Sequence, residues 1–141
     1  MIWIIFCTIV VLLTIWYTWL RHINFTTSDG AIIMALGIMV NGAFQLSPLL
    51  SIWTGPPFTI LLIGLLLWMF AMLLRDAAAG EFSTKHLSNP LASFAVCTWV
   101  PAISVTAVAI VKVLPALKFA AIGLLVTNLI LWIAWMFVVL R

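Results

Sequence analysis

The chain alternates long apolar runs with short polar segments, and this pattern predicts five transmembrane helices. An apolar helix crosses a bilayer with roughly 17–25 residues. Five runs have this length, at residues 2–20, 30–53, 58–74, 90–113 and 119–140. The pattern therefore predicts an all-α membrane protein, with one membrane domain over residues 1–141.

Gly, Pro and short polar side chains predict where these helices begin and end. Ser28 or Asp29 can cap the second helix, and Pro48 predicts a kink near its far end. Thr-Gly-Pro-Pro at residues 54–57 predicts a tight turn into the third helix. Asn89 followed by Pro90 predicts the start of the fourth. The first helix has no basic segment before it and no suitable cleavage site after it, so we expect it to remain as an anchor.

The second predicted helix carries small and polar residues on one side. At about 100° per residue, Gly37, Asn41 and Gln45 fall within an arc of roughly 80°. A side-chain amide is costly in hydrocarbon unless it finds a hydrogen-bond partner or water. The sequence leaves two interpretations open for this stripe, a packing face against other helices or the wall of a pore.

The fourth predicted helix repeats this plan, with Ser93, Cys97, Pro101 and Ser104 on one side. The three other helices are bulky and apolar, and each ends with Trp shortly before an Arg. The unit is thus a hairpin of one inner and one outer helix, repeated in parallel, as in many transporters and channels. The repeat favours the pore interpretation, in which these four residues line the pore with Gly37, Asn41 and Gln45.

Composition excludes several classes of protein. The chain is 67% hydrophobic and 6% charged, with a mean hydropathy of +1.35, which is not the composition of a soluble domain. A net charge of +3 is too small for a nucleic-acid surface. No carboxylate lies inside a predicted membrane helix, which argues against a proton-coupled exporter.

Enzymatic and metal chemistry find little support in the sequence. His22 and His86 lie at helix ends without ligand spacing, so we expect them to be solvated and predict no metal site. Ser93 or Cys97 could act as a nucleophile only with a base that the sequence does not place nearby. We therefore predict that the chain is not an enzyme and has no cofactor.

Basic residues predict the orientation, because cytoplasmic loops carry an excess of Lys and Arg. One predicted side holds Arg21, Arg75, Lys85 and Arg141, and the other holds Lys112 and Lys118. This places the chain in the cell membrane with its N-terminus outside and its C-terminus in the cytoplasm. Both inner helices then begin in the cytoplasm with the positive ends of their dipoles, and the two outer lysines add positive charge, which suits a neutral or anionic solute.

Residues 88–105, SNPLASFAVCTWVPAISV, resemble an inner helix of the tellurite-resistance/dicarboxylate transporter family, which includes the slow-type anion channels. Residues 119–141 are similar to the outer helix that follows, and residues 30–75 fit the preceding pair less closely. The resemblance implies inner–outer hairpins around a pore in a homotrimer. The five predicted helices of this chain are half of the ten in that family. A half-pore would therefore need further copies or a chain that supplies the missing hairpins.

The leading hypothesis is therefore an anion channel or organic-anion transporter that works as an assembly in the lipid bilayer. The rival hypothesis is a small structural or accessory membrane subunit whose stripes bind partner helices. Asn41 and Gln45 fit both hypotheses, so the sequence alone does not choose between them.

Overall fold

The computed structural model describes residues 29–88 and 96–139, and six helical positions before them: Ile5, Ile9, Leu12, Leu13, Trp16 and Tyr17. Within these residues the chain is all-helical, as predicted, and contains no strand. The α-helices are α1 (Gly30–Leu46), α2 (Pro48–Ala78), α3 (Phe82–His86), α4 (Trp99–Val113) and α5 (Lys118–Val139). Short 3₁₀ turns at Val96–Thr98 and Pro115–Leu117 lead into α4 and α5.

The reversal between α1 and α2 lies at Ser47, seven residues before the predicted turn. Ser47 is extended, with φ −157° and ψ 127°, and Pro48 starts α2. Proline pushes the residue before it out of the helical region and is itself well suited to the first helical position. The predicted helix 30–53 is therefore wrong in its last third, since Pro48 separates two helices instead of kinking one.

The predicted turn at residues 54–57 is helical, and Pro56 and Pro57 lie inside α2. Proline keeps a helical φ, so its cost within a helix is mainly the lost amide donor and a steric clash one turn back. Tertiary contact helps to hold this stretch, because a Cβ added to Gly55 would lie 2.8 Å from Cζ of Phe44 on α1. The third predicted helix, 58–74, is thus the later part of a longer α2.

The remaining predicted boundaries agree in part. The α5 bounds match the predicted helix 119–140 closely. The predicted start of the fourth helix at Asn89 and Pro90 lies outside the described residues, and the described chain enters α4 through a 3₁₀ turn. Asp29 stands immediately before α1 but makes no side-chain capping bond.

The helices form two hairpins joined through α1 and α4. Contacts pair α1 with α2 in antiparallel order, from Gly37 near Leu62 to Phe44 against Gly55. Asn128 of α5 pairs with α4, and Trp135 pairs with Cys97 in the 3₁₀ turn before α4, so this hairpin is antiparallel too. In contrast, α1 and α4 run side by side in the same direction. The three other long helices therefore pack around α4.

The core lies between α1, α2 and α4, whereas α5 is attached by one narrow face. Fully enclosed core residues include Ile33, Leu62, Met69, Ala102 and Ile103. By length and composition, Ser51–Ala78 and Pro115–Phe137 could cross a bilayer, and α1 and α4 are apolar but shorter, with 17 and 15 residues.

Gly37→Ala should destabilise the bundle, because the new Cβ would lie 2.2 Å from Cγ2 of Val105. We expect a loss of about 1–3 kcal/mol from overpacking, partly offset by the better helix propensity of Ala. Gly123→Ala in α5 is the matched control, since no heavy atom lies within 4 Å of its added Cβ. Unfolding by SDS titration in detergent micelles should show the first variant weakened and the second unchanged or strengthened. Equal effects would contradict the α1–α4 packing.

Candidate functional site

Gly37 brings α1 close to α4. It is buried, and the position of an added Cβ is occupied by the Val105 side chain. A residue without a side chain allows two helix backbones to approach each other. Gly37 therefore touches another helix, as the packing interpretation of the stripe predicts.

Asn41 fixes this approach with hydrogen bonds. Its Nδ2 donates to the Gly37 carbonyl at 2.9 Å and to the Val105 carbonyl on α4 at 3.1 Å. The first bond lies within α1, one turn back, and the second crosses to the neighbouring helix. Both amide hydrogens are therefore used inside the bundle, and Asn41 forms a clamp between α1 and α4.

A second amide clamp lies on the opposite side of α4. Asn128 of α5 is buried, and its Nδ2 donates to the Val100 carbonyl at 2.9 Å and to Ser104 Oγ at 2.7 Å. One turn from this clamp, the Trp135 indole donates to Cys97 Sγ at 3.2 Å. Two predicted pore-lining residues, Cys97 and Ser104, thus accept hydrogen bonds from α5.

The structure distributes the predicted pore-lining residues over two interfaces. Gly37 and Asn41 lie between α1 and α4, and Cys97 and Ser104 contact α5. Gln45 is exposed at the end of α1, and Pro101 is half-buried in the first turn of α4. Ser93 lies outside the described residues. The pore assignment stays a prediction, since these contacts do not test whether water reaches this set.

Sequence reasoning missed Asn128 as a partner of the fourth helix. It is the single side-chain amide in α5, which is apolar apart from Lys118 and Thr127, and that isolation is the signal that it needs a partner. The partner could not be named from spacing, because Ser104 lies 24 residues before Asn128 and their contact depends on how α4 and α5 are rotated against each other.

A cluster of charged residues lies at the end of the α1–α2 hairpin opposite Ser47. The conformation of Gly80 allows the chain to form it. Gly80 has φ +72°, a left-handed conformation that glycine adopts without strain. Its amide donates to the Ala77 carbonyl, and the Glu81 amide donates to the Asp76 carbonyl. These two bonds form the Schellman motif that ends many helices. The chain therefore folds back, and α3 lies against the end of α2.

The carboxylate of Asp76 is the centre of this cluster. It is 1% exposed, yet it contacts Lys85 Nζ at 3.0 Å and Arg75 Nη2 at 3.4 Å. Lys85 also contacts Glu81 at 2.7 Å. The hydrogen bonds to Glu81 and Asp76 raise the pKa of Lys85, so its ammonium stays charged to higher pH. A buried carboxylate of this kind is stable only while its basic partners remain.

His86 is the fifth member and is buried, which corrects the expectation of a solvated side chain. It is 1% exposed, and its Nε2 lies 3.3 Å from Asp76 Oδ2. Its ring packs between Phe82 and Trp99, with ring centroids 5.1 and 5.6 Å apart. The expectation placed His86 at a helix end, exposed to solvent. It missed that Gly80 returns α3 to the bundle, which a Gly four residues after Asp76 could have suggested.

This cluster is suited to holding helices together, and we call it the Asp76 clasp. Its members are Arg75, Asp76, Glu81, Lys85 and His86. A carboxylate can orient an imidazole for proton transfer, but a general base must reach its substrate. Both side chains are closed to solvent here, so the pair joins α2 to α3 and to the start of α4. Within residues 29–88 and 96–139, no three His, Cys, Asp or Glu side chains are grouped as metal ligands.

No protein-family model, curated protein or solved structure matches the chain. The resemblance to the tellurite-resistance/dicarboxylate transporter family therefore stays a prediction.

An apolar cleft lies beside the clasp. It has a volume of about 170 Å³ and is lined by Phe82, Leu87, Trp99, Val100, Ile103, Leu131, Ala134 and Trp135. Sites for polar solutes combine an apolar wall with a few convergent polar groups. The lining of this cleft is suited to hydrocarbon rather than to an anion.

Asp76→Asn should release α3 from the bundle, because it removes the charge that faces Lys85, Arg75 and His86. Removal of one partner from a buried ion pair typically costs about 3–5 kcal/mol. Limited proteolysis between α2 and α4 should become faster, and the unfolding midpoint should fall.

Glu81→Gln provides the control for this variant. Its side chain is 54% exposed and contacts only one of the basic groups, Lys85. Exposed ion pairs contribute little to stability. If both variants lose stability equally, the clasp does not depend on the buried carboxylate.

Proposed function

We propose that this chain is a multi-pass membrane protein that acts as a structural or accessory subunit. The observation that carries the proposal is the use of the amides: Asn41 and Asn128 donate to backbone carbonyls of α4. Polar side chains that serve as hydrogen-bonded contacts between helices are typical of packed membrane bundles. In this role the bundle presents a largely apolar surface to lipid and to the helices of other chains.

The distribution of exposed residues supports membrane insertion. Large apolar side chains on α5 are widely exposed, for example Phe119 at 77%, Ile130 at 61% and Phe137 at 69%. In water such a surface would be prone to aggregation, whereas a bilayer solvates it. The charged residues of the described chain lie near the ends of the bundle, as expected for helices that cross hydrocarbon. We place the N-terminus outside and the C-terminus in the cytoplasm, on the basic-residue asymmetry.

The side-chain amide of Gln45 is exposed and could contact a partner chain in this accessory role. Among the described stripe residues it is the amide that faces outward, next to Leu46, which is 82% exposed. An outward amide beside an apolar surface can hydrogen-bond a neighbouring membrane helix. We therefore propose Gln45 as a contact to such a helix.

Anion permeation is the second candidate, and the charge distribution favours it. Every carboxylate of the chain lies at one end of the bundle, on Asp29, Asp76 and Glu81. Lys112 and Lys118 lie at the opposite end, and the described ion pairs include neither of them. A positive mouth attracts anions. In this candidate the path runs between copies of the chain, or between it and a partner that supplies the missing hairpins.

Labelling of single cysteines should test membrane insertion and orientation. In a chain with Cys7 and Cys97 replaced by Ser, we would introduce Ala116→Cys or Ser83→Cys, at exposed positions on opposite ends of the bundle. An impermeant maleimide added to intact cells should label only position 116. Both positions should react after permeabilisation. Reaction at position 83 in intact cells would contradict the orientation, and reaction at both would contradict membrane crossing.

Cys97 should distinguish the structural role from the pore. In a Cys7→Ser background, the structural role predicts that a charged thiosulfonate reacts with Cys97 at least about 100-fold more slowly than with Ser83→Cys. The Trp135 indole contacts the sulfur where Cys97 meets α5, so a charged reagent would have to leave water to reach it. Trp135→Phe should speed the reaction with an apolar maleimide. Rapid reaction with the charged reagent that also blocks anion flux in proteoliposomes would instead support permeation.

A further inference from the structure

The oxygen of the Asn41 carboxamide has no hydrogen-bond partner although it is buried. The orientation of this amide is fixed, because Nδ2 contacts two carbonyl oxygens, which accept but cannot donate. Oδ1 must therefore point away from the α4 carbonyl. The group left unpaired at this position is an acceptor.

The hydroxyl of Thr59 on α2 is unpaired as well. Thr59 is 0% exposed, and its Oγ1 has no hydrogen-bond partner. In a helix interior a Thr hydroxyl usually bonds to a carbonyl one turn earlier, as Thr106 does with the Ala102 carbonyl at 2.8 Å. Thr59 thus lacks the local bond that Thr106 has.

The packing of α1 against α2 places these two groups at the same level. A Cβ on Gly37 would lie 3.7 Å from Cδ2 of Leu62, so these positions face each other. Asn41 follows Gly37 by one turn on α1, and Thr59 precedes Leu62 by about one turn on α2. Because the two helices are antiparallel, both steps lead toward Ser47. Asn41 and Thr59 therefore face the same junction of α1, α2 and α4.

A cavity of about 230 Å³ lies at this level on the neighbouring face of α1 and α2. Its lining includes Val40 and Phe58, the residues next to Asn41 and Thr59 in the sequence, but neither Asn41 nor Thr59 itself. A water molecule occupies about 30 Å³ in the liquid, and buried waters typically bond to polar groups that lack other partners. Two unpaired polar atoms in an otherwise apolar junction meet this description.

We infer that Asn41 and Thr59 form a binding site for a single water molecule that links α1 to α2. The water donates one hydrogen bond to Asn41 Oδ1 and exchanges a second with the Thr59 hydroxyl. The chemistry selects a hydrogen-bond donor, because Oδ1 offers only lone pairs and would repel an anion. The site depends on the fold alone and is independent of the proposed function.

A double-mutant cycle tests whether one molecule joins the two side chains. Thr59→Val, Asn41→Leu and the double variant would be unfolded by SDS in detergent micelles. A shared water predicts that Thr59→Val destabilises the protein, and that the two effects on the unfolding constant differ from additivity by at least about threefold. Thr59→Val paired with Asn128→Leu is the control, and it should be additive because Asn128 lies on the α5 side of α4.

Additive effects for Asn41 and Thr59 would overturn the inference. A gain in stability from Thr59→Val would also overturn it, since this is expected when an unpaired buried hydroxyl is removed.

Nuclear magnetic resonance provides a test that does not require Asn41→Leu to fold. In protein labelled with ¹⁵N-asparagine, the Asn41 side-chain amide should show a cross-relaxation peak to a long-lived water. Thr59→Val should remove this peak and leave the Asn128 amide unchanged. Absence of the peak in the wild-type chain, or its persistence in Thr59→Val, would contradict the site.

Discussion

The backbone carbonyls of α4 provide the contacts on which the bundle depends. The Val105 carbonyl accepts from α1 on one side, and the Val100 carbonyl accepts from α5 on the other. Each of these carbonyls has a second lone pair available beyond the helical bond, so a clamp need not break α4. A side-chain hydrogen bond between membrane helices contributes only about 0.6–2 kcal/mol, but it is directional. It fixes rotation and depth, which apolar surfaces alone leave free to slide.

The two ends of the bundle are held by different physical means. At one end the Asp76 clasp neutralises a buried carboxylate with basic groups from α2 and α3, and Trp99 connects it to α4. At the other end α1 and α2 are joined through a single extended residue, Ser47. The first end depends on charge, so it is sensitive to any change that removes a charge. The second depends on the chain geometry at Ser47 and Pro48.

The hydrophobic pattern was sufficient to predict the helical class and the position of α5, because these follow from local composition. It failed at Pro48, where a single proline ends a helix, and at Pro56 and Pro57, where two prolines do not. The difference depends on whether neighbouring helices hold the backbone, as Phe44 does at Gly55, and this contact is not local in sequence.

The candidate site could be predicted only in part for a related reason. Asn41 was identified as a group that needs a partner, and its partner is a backbone carbonyl. A carbonyl has no sequence signature, since every residue supplies one. The same limit applies to His86, whose burial depends on the fold of the chain around Gly80.

The two prolines inside α2 have a mechanical consequence. They lack the amide donors that would bond to the carbonyls of Ile52 and Trp53. Fewer backbone hydrogen bonds therefore join the first two turns of α2 to the rest of the helix. Phe44 packs on Gly55, just before the prolines, so it ties the end of α1 to this first segment. The hairpin tip, residues 44–55, can therefore tilt as one unit. Its motion is limited by the prolines of α2 on one side and by the hydrogen bond of Asn41 to α4 on the other.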